Sequence, residues 1–246
     1  MTQSPRIEYH EQLNDLRHQV LRLGEATIET IGRGTAAFLE RDLGAAQELI
    51  DGDDVIDVLA LDIEEHCYQL LALQAPMAHD LRMIVCSLKL VSELERSADL
   101  MVNTCKAARR VYDVTIDPKL RGLIGDMSEE AMSITRQALD AFMNEDAALA
   151  SALDDIDDRL DELQVHFIEA IFVAHHEERL AVRSAVQLAM IGRYYERIGD
   201  HAVNIGERVT YMVTGWLPEH TGAARQQFRS AVATLHPPEL GIVPDE

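Results

Sequence analysis

Proline is nearly absent from the middle of this chain. Five of its seven prolines lie at residue 5 or from residue 218 onward, and only Pro76 and Pro118 fall between residues 6 and 217. A proline inside a helix costs about 3 kcal/mol. The distribution therefore permits long helices almost everywhere and requires breaks only near residues 75 and 117, which predicts an all-α protein.

The spacing of apolar residues divides the chain into six helices. Residues 7–41 show the intervals of three and four typical of an amphipathic helix. Asp42 is predicted to cap a second helix that runs to residue 74, and Pro76 lies in the first turn of a third that ends near residue 112. Asp117 and Pro118 begin a fourth helix, which ends at residues 144–146. The fifth runs to residue 176, and the sixth covers residues 178–213, with Gly215 at its end.

Two acidic patterns each occur twice, always 101 residues apart. The pattern E-R-x-x-D-x-x-x-N begins at Glu95 and again at Glu196, and D-D-x-x-D begins at Asp53 and again at Asp154. Residues spaced by four lie along one stripe of a helix. The repeat therefore predicts two homologous units, each with acidic stripes on two helices.

The repeat also sets the predicted domain organisation. We expect two tandem, pseudo-symmetric three-helix bundles of long antiparallel helices, the first in residues 1–114 and the second in residues 115–217. Residues 218–246 carry four of the seven prolines and are predicted to be a flexible tail. Within this tail, residues 223–235 favour a short helix.

Each predicted bundle brings its acidic stripes together. In an antiparallel pair of helices, both stripes lie about 20 residues from the connecting turn, so they should face each other at the same height. Each bundle would then place four carboxylates in one cluster. The candidate metal ligands are Asp53, Asp57, Glu95 and Asp99 in the first bundle, and Asp154, Asp158, Glu196 and Asp200 in the second.

Clustered carboxylates repel one another unless a cation lies among them. A divalent metal ion with oxygen ligands is one candidate. Arg96 and Arg197 are the other, because they would form a salt-bridge network without a metal. Asn103 and Asn204 continue the two stripes as supporting polar residues. A plain solvated acidic face is the third possibility.

An enzymatic version of this site would be a carboxylate-bridged dimetal oxidoreductase. Such centres need Glu-x-x-His pairs on their helices, and neither stripe contains one. The sequence also lacks a nucleophile elbow, a P-loop and a dinucleotide-binding fingerprint. We therefore expect a protein that is not an enzyme, with the oxidoreductase as the alternative.

The charge of the chain limits its partners. A formal net charge of -21 repels phosphate backbones and excludes nucleic acid as an expected partner. The sequence shows neither a secretory signal nor an apolar run of membrane-spanning length. We expect a cytoplasmic protein that reaches the membrane only through partners.

Three segments together resemble the PhoU family of phosphate-uptake regulators. They are L-L-A-L-Q-A-P-M-A-H-D-L-R at residues 70–82, E-L-E-R-S-A-D at 93–99 and Y-E-R-I-G-D-H-A-V-N-I-G-E at 195–207. M-V-T-G-W-L-P at 212–218 is similar to the actinobacterial branch. The first copy departs from the family pattern, because Ser97 and Ala98 replace the usual Ile-Gly, and we expect less close packing there.

The resemblance implies a function and its partners. PhoU proteins restrain the phosphate-responsive histidine kinase and the high-affinity phosphate transporter, whose ATPase subunit is the expected contact. Some members bind iron or zinc clusters through repeated E/D-x-x-x-D motifs, which correspond here to Glu95 with Asp99 and Glu196 with Asp200; other members carry no metal. We expect a homodimeric regulator that acts by stoichiometric binding.

Overall fold

The computed structural model of the protein describes residues 5–216. Within them every regular element is a helix, which confirms the predicted all-α class. The predicted tail at residues 218–246 lies outside the described range. The seven helices are α1 (Pro5–Glu40), α2 (Leu43–Asp51), α3 (Asp53–Gln74), α4 (Ala78–Arg110), α5 (Pro118–Asn144), α6 (Ala147–His176) and α7 (Val182–Thr214).

Three helix ends follow the chemistry expected from the sequence. The carboxylate of Asp42 accepts hydrogen bonds from the backbone N–H groups of Gly44 and Ala45, and so caps α2. Asp117 caps α5 in the same way, with Pro118 in the first turn. Gly215 ends α7 with a φ of 74°, a left-handed conformation that favours glycine.

The predicted second helix is wrong in one respect, because it is broken at Gly52 into α2 and α3. Glycine lowers helix stability by about 1 kcal/mol relative to alanine. Asp53 and Asp54 follow it and lie in the first turn of α3, where negative charge is favoured by the helix dipole. A cluster of poor helix formers therefore ends one helix and begins another.

Two predicted helix starts lie a few residues too early. Pro76 precedes α4, which begins at Ala78, because Ala75 takes a left-handed conformation and turns the chain. The last helix begins at Val182 and not at residue 178, since Glu178 also has a positive φ. Both differences lie in the tight turns of the two long hairpins, α3–α4 and α6–α7.

The six longer helices can be divided into two groups of three, which also contact each other extensively. The helices α1, α3 and α4 contact one another, as do α5, α6 and α7, and the pairs α4–α7 and α1–α5 join the groups. The predicted boundary at residue 114 falls in the connection between α4 and α5. Both large apolar cores contain residues of both groups, and the division into two domains stays a prediction.

A buried hydroxyl network links the two groups. The Oγ1 of Thr35 in α1 lies 2.6 Å from the hydroxyl of Tyr195 in α7 and 2.8 Å from the Oγ of Ser128 in α5. Tyr195 is fully buried. Such satisfied polar contacts fix the orientation of packed helices more strictly than apolar contacts do.

Candidate functional site

The first acidic cluster lies on the outer face of the α3–α4 hairpin. Partial burial raises the pKa of Asp53, and the nearby carboxylates of Asp99 and Asp57 raise it further. The pKa of Glu95 is likewise raised by burial and then by Asp99, Asp57 and Asp53. The structure thus brings together the four carboxylates that the repeat predicted for this half.

A cleft adjoins this first cluster. It has a volume of about 330 Å³ and is lined by Asp57, Ala60, Leu61, Glu64, Val91, Ser92 and Glu95. Its walls combine three carboxylates with apolar side chains. A ligand for this cleft would carry positive charge beside an apolar surface.

The second acidic cluster, on α6 and α7, is centred on a buried carboxyl group. Asp157 is 8% exposed. Burial raises its pKa to about 7, and Asp161, Asp200, Asp154 and Asp158 add to the rise. The pKa of Asp161 is also raised, by burial and by Asp200 and Asp158, while Arg193 opposes the change. This half therefore gathers more carboxylates than the first.

The four predicted ligands of the second half lie around Asp157, which was not among them. Asp154, Asp158 and Asp200 are exposed, and Glu196 is half-buried. Glu196 forms an ion pair with Arg193 on the preceding turn. Its Oε2 and the Oδ1 of Asp157 are buried and have no hydrogen-bond partner among the described residues.

Sequence reasoning missed Asp157 and Asp161. The signal that could have revealed Asp157 is the spacing of core positions on α6. There the buried residues follow intervals of four, three and seven: Leu153, Asp157, Leu160 and Phe167. Asp157 occupies a core position of that stripe. The repeat drew attention to Asp154 and Asp158, which match acidic residues of the first half, while Asp157 matches Ile56.

Glycines on α7 make room for this arrangement. A Cβ added at Gly199 would overlap the Oδ1 of Asp157 and lie 2.8 Å from a methyl carbon of Leu160. A Cβ at Gly206 would lie 2.5 Å from the backbone oxygen of Ala150. The two helices therefore approach closely along α7.

A polar contact crosses the interface between α4 and α7. The Oγ of Ser97 donates to the backbone oxygen of Glu93, at 2.8 Å, and lies 3.0 Å from the Nδ1 of His201. Ser97 and His201 are therefore hydrogen-bonded across the interface. Burial lowers the pKa of His201 to about 4, helped by Arg197 and Arg96, so the ring is neutral at pH 7 and its 4.0 Å approach to Glu93 is not an ion pair.

The predicted supporting residues take different places. Arg96 is exposed, 3.9 Å from the carboxylate of Glu93, and Arg197 is exposed near His201. Asn204 donates to Glu93 across the α4–α7 interface, at 3.4 Å. Asn103 is half-buried one turn after Asp99. Asn204 therefore supports the interface between the repeats.

The clusters can be tested for their fit to a metal ion. Among residues 5–216, no three His, Cys, Asp or Glu side chains are grouped so that they could hold a metal. The donors are oxygen atoms, which suit hard divalent cations. At the second cluster, the unpaired buried oxygens of Asp157 and Glu196 are two such donors, fewer than the three of a metal-binding group. The eight predicted ligands stay a prediction.

Comparison with known proteins identifies the family. The family model described as the PhoU domain matches residues 20–108 and 124–209, once in each half of the chain. The chain belongs to the PhoU family. The two matched ranges correspond to the two halves that the repeat at an offset of 101 predicted, and the membership confirms the resemblance seen in the motifs.

Named PhoU relatives cover most of the chain. It is 35% identical over 214 residues to the "Phosphate-specific transport system accessory protein PhoU homolog 1" of Mycobacterium tuberculosis, covering 87% of this chain and 96% of the relative. A PhoU homologue of Aquifex aeolicus is 33% identical over 216 residues, with the same coverage. These relatives are named as accessory proteins and not as enzymes.

Solved PhoU structures share the fold. The crystal structure of PhoU from Pseudomonas aeruginosa superposes with a TM-score of 0.78 and 29% identity, covering 85% of this chain and all of that one. The phosphate transport system regulatory protein PhoU from Streptococcus pneumoniae gives a TM-score of 0.77 and 27% identity, covering 85% and 98% of the two chains. In the described part of this PhoU protein, none of the helices has the length and apolar character needed to cross a membrane.

Proposed function

We propose that this PhoU protein is a negative regulator of phosphate uptake and of phosphate-starvation signalling. It would act in the cytoplasm, as a homodimer, by binding the sensor histidine kinase and the ATPase subunit of the high-affinity phosphate transporter. The observation that carries the proposal is the double PhoU match, together with relatives named for the phosphate-specific transport system.

The surface chemistry supports a binding role. Both hairpins present carboxylates on an outer face, and burial together with mutual repulsion raises the pKa of several of them. A basic partner surface would relieve this repulsion, and charge complementarity favours fast and specific association. We therefore propose that the acidic faces of the α3–α4 and α6–α7 hairpins are the docking surfaces for the two partners.

Gene deletion in the source organism tests the regulatory role. At high phosphate, the deletion strain should transcribe phosphate-responsive genes that the parent strain keeps silent, and the intact gene should restore silence. Copies that carry Asp57→Asn with Glu95→Gln, or Asp158→Asn with Asp200→Asn, should restore it less completely. Unchanged transcription in the deletion strain would reject the proposal.

Purified components test the direct contacts. We expect the protein to retain the cytoplasmic part of the kinase and the ATPase subunit in separate pull-down experiments, more weakly at high salt. Sedimentation velocity should show a dimer. If neither partner is retained at low salt, regulation would have to pass through another component.

We also propose that the acidic clusters bind a divalent cation. Asp157, Glu196 and their neighbours Asp154, Asp158 and Asp200 would hold it in the second half, and Asp53, Asp57, Glu95 and Asp99 in the first. When bound, the cation would offset part of the charge of the carboxylates and leave each face acidic. Iron and zinc are the candidate metals, and the oxygen donors also suit other divalent cations.

Metal analysis separates this proposal from its alternatives. The purified protein should contain iron or another divalent metal, and Glu196→Ala with Asp200→Ala should lower the content. If the metal content of the wild-type protein does not exceed background, the result would favour a salt-bridge network or a solvated acidic face. Metal together with oxygen consumption would favour the oxidoreductase, which the named relatives do not support.

A further inference from the structure

An apolar groove opens on the α6–α7 hairpin, close to the turn that joins its two helices. It has a volume of about 250 Å³, and Phe172, Val182 and Val186 are among the residues that line it. These three side chains are 68%, 60% and 52% exposed. His175 also lines the groove, and its Nδ1 lies 2.8 Å from the backbone oxygen of Leu180. Grouped apolar side chains this open to water mark a surface that binds another molecule.

Two alanines open this groove. Ala185 and Ala189 line it, while the positions 101 residues earlier carry Ile84 and Leu88. Ile84 is fully buried, and Leu88 packs against the same core. The second hairpin therefore has space near its turn at positions where the first hairpin carries two larger aliphatic side chains.

The stripe that lines the groove becomes acidic farther from the turn. On α6, residues at intervals of four and three run from the groove to the second acidic cluster: Phe172, Ile168, Val165, Asp161, Asp158 and Asp154. On α7, the corresponding series is Val182, Val186, Ala189, Arg193, Glu196 and Asp200. Residues at these intervals share one face of a helix. The apolar groove and the second acidic cluster are therefore the two ends of one surface.

The acidic end of this surface keeps an excess of negative charge. Arg193 forms an ion pair with Glu196. Four carboxyl groups lie beside that pair, at Asp154, Asp158, Asp161 and Asp200. The carboxylate of Asp200 on α7 raises the pKa of Asp161 on α6, so the two helices contribute to one negative field. Positive charge on a bound molecule would relieve this repulsion.

We propose that this surface of the α6–α7 hairpin binds an amphipathic helix of one of the two partners, with apolar side chains at one end and lysine or arginine at the other. The apolar side chains fill the groove between Phe172 and Val186, and the basic ones pair with the carboxylates of Asp161 and Asp200. The rise from Val186 to Asp200 along α7 is about 21 Å, so the two groups are about four turns apart on one face of the bound helix. The inference rests on the proposed function and deepens it, because it defines the chemistry of one docked partner.

A second copy of this chain fits the surface less well. Two hairpins packed antiparallel would place an acidic cluster against each apolar groove, and two packed parallel would place carboxylates against carboxylates. Burial of charge against an apolar surface and approach of like charges both cost free energy. Anionic lipid is repelled by the same carboxylates. A helix with one apolar and one basic end matches both ends of the surface.

Binding of a synthetic peptide to the full-length protein tests the surface. The probe is a labelled helical peptide of about 20 residues, with three leucines and then three arginines at intervals of four and three on one face. The control peptide has the same composition, with its arginines on the opposite face. Fluorescence anisotropy with a chelator present should give a micromolar Kd for the probe and a Kd at least about tenfold higher for the control.

Matched variants locate the bound probe. Val186→Glu, in the groove, should weaken binding roughly tenfold, and so should Asp161→Asn with Asp200→Asn at the acidic end. Val85→Glu, the equivalent of Val186→Glu in the first half, should change the Kd by less than about twofold. Circular dichroism shows whether each variant remains folded, and the two Asn substitutions test the surface without altering its apolar packing. Equal Kd values for the two Val→Glu variants, or for the probe and the control peptide, would overturn the proposal.

Competition with the partners completes the test. The cytoplasmic part of the kinase or the ATPase subunit should displace the probe, and Val186→Glu should lower retention of that partner alone. If a partner is retained by the wild type but does not displace the probe, this inference fails while the proposed function stands. If the wild type retains neither partner, the proposed function fails and the inference falls with it. Loss of the dimer in Val186→Glu would assign the groove to a second copy, and would also overturn the inference.

Discussion

The α3–α4 and α6–α7 hairpins carry the same acidic pattern in different packing. Ile56, 8% exposed, fills the position in α3 that Asp157, also 8% exposed, fills in α6. On the facing helices, Ala98 of the first half corresponds to Gly199 of the second. The first hairpin therefore places an apolar layer beneath its carboxylates, while the second buries a carboxyl group against a glycine. A repeated pattern preserves the surface charges more faithfully than the layer below them.

The interface between α4 and α7 shows the same asymmetry. Ser97 contacts His201 on one side of it, while the residues at the corresponding positions, Ile198 and Leu100, are both apolar and buried. The departure of the first copy from the family pattern at Ser97 therefore has a physical reason. The serine gives the Nδ1 of His201 a hydrogen-bond partner, which a buried polar group needs.

The largest expected effect comes from closing the space between α6 and α7. Gly206→Ala would place a Cβ 2.5 Å from the backbone oxygen of Ala150, and a backbone atom cannot move away cheaply. We expect a loss of about 3 kcal/mol in the free energy of unfolding, measured by urea denaturation. At the equivalent position the first half carries Cys105.

Gly122→Ala is the control, because an added Cβ there meets nothing within 4 Å. It should stabilise the protein by about 0.5 kcal/mol through helix propensity. Equal stability of the two variants would contradict the close contact of α6 and α7 at Gly206.

The buried carboxyl group of Asp157 predicts that stability depends on pH, with an effect of intermediate size. The pKa of Asp157 rises from 3.8 to about 7 on folding, so its contribution to stability is complete below pH 4 and is lost as the pH rises toward 7. The Asp157→Asn variant has no titratable group at this position. Its stability relative to the wild type, measured with a chelator present, should increase by about 2 kcal/mol between pH 4 and pH 6.

Asp158→Asn is the control for this series, since it removes an exposed carboxylate next to Asp157. The difference between this variant and the wild type should stay within about 0.5 kcal/mol across the range. Parallel stability curves for Asp157→Asn and the wild type would show that the second cluster does not differ from the first in this way.

The smallest expected effect concerns the polar contact between α4 and α7. Ser97→Ala removes the hydrogen-bond partner of the buried His201 Nδ1 and should cost about 1.5 kcal/mol in the free energy of unfolding. Ser87→Ala, in the same helix, removes a buried hydroxyl that bonds to the backbone oxygen of Met83 one turn away, and should cost less than about 0.5 kcal/mol. Thermal unfolding of both variants measures the difference, and equal midpoints would contradict the role given to Ser97.

Much of the architecture followed from local sequence rules. The scarcity of proline predicted long helices, and the caps at Asp42 and Asp117 lie where the sequence indicated. The break at Gly52 was missed because the apolar spacing continues through it. The four carboxylates of the first cluster were also predictable, because equal distances from a turn place residues at equal heights on antiparallel helices.

The sequence by itself determined the helical class, the doubled acidic stripes and the family, because these depend on periodicity and on residue types along one chain. Only the tertiary structure decided that Asp157 is the centre of the second cluster and that Ser97 and His201 meet across the repeats. Burial, and with it the pKa of a carboxyl group, depends on how closely a neighbouring helix approaches. That approach is set by small residues such as Gly199 and Gly206, far from Asp157 in the sequence.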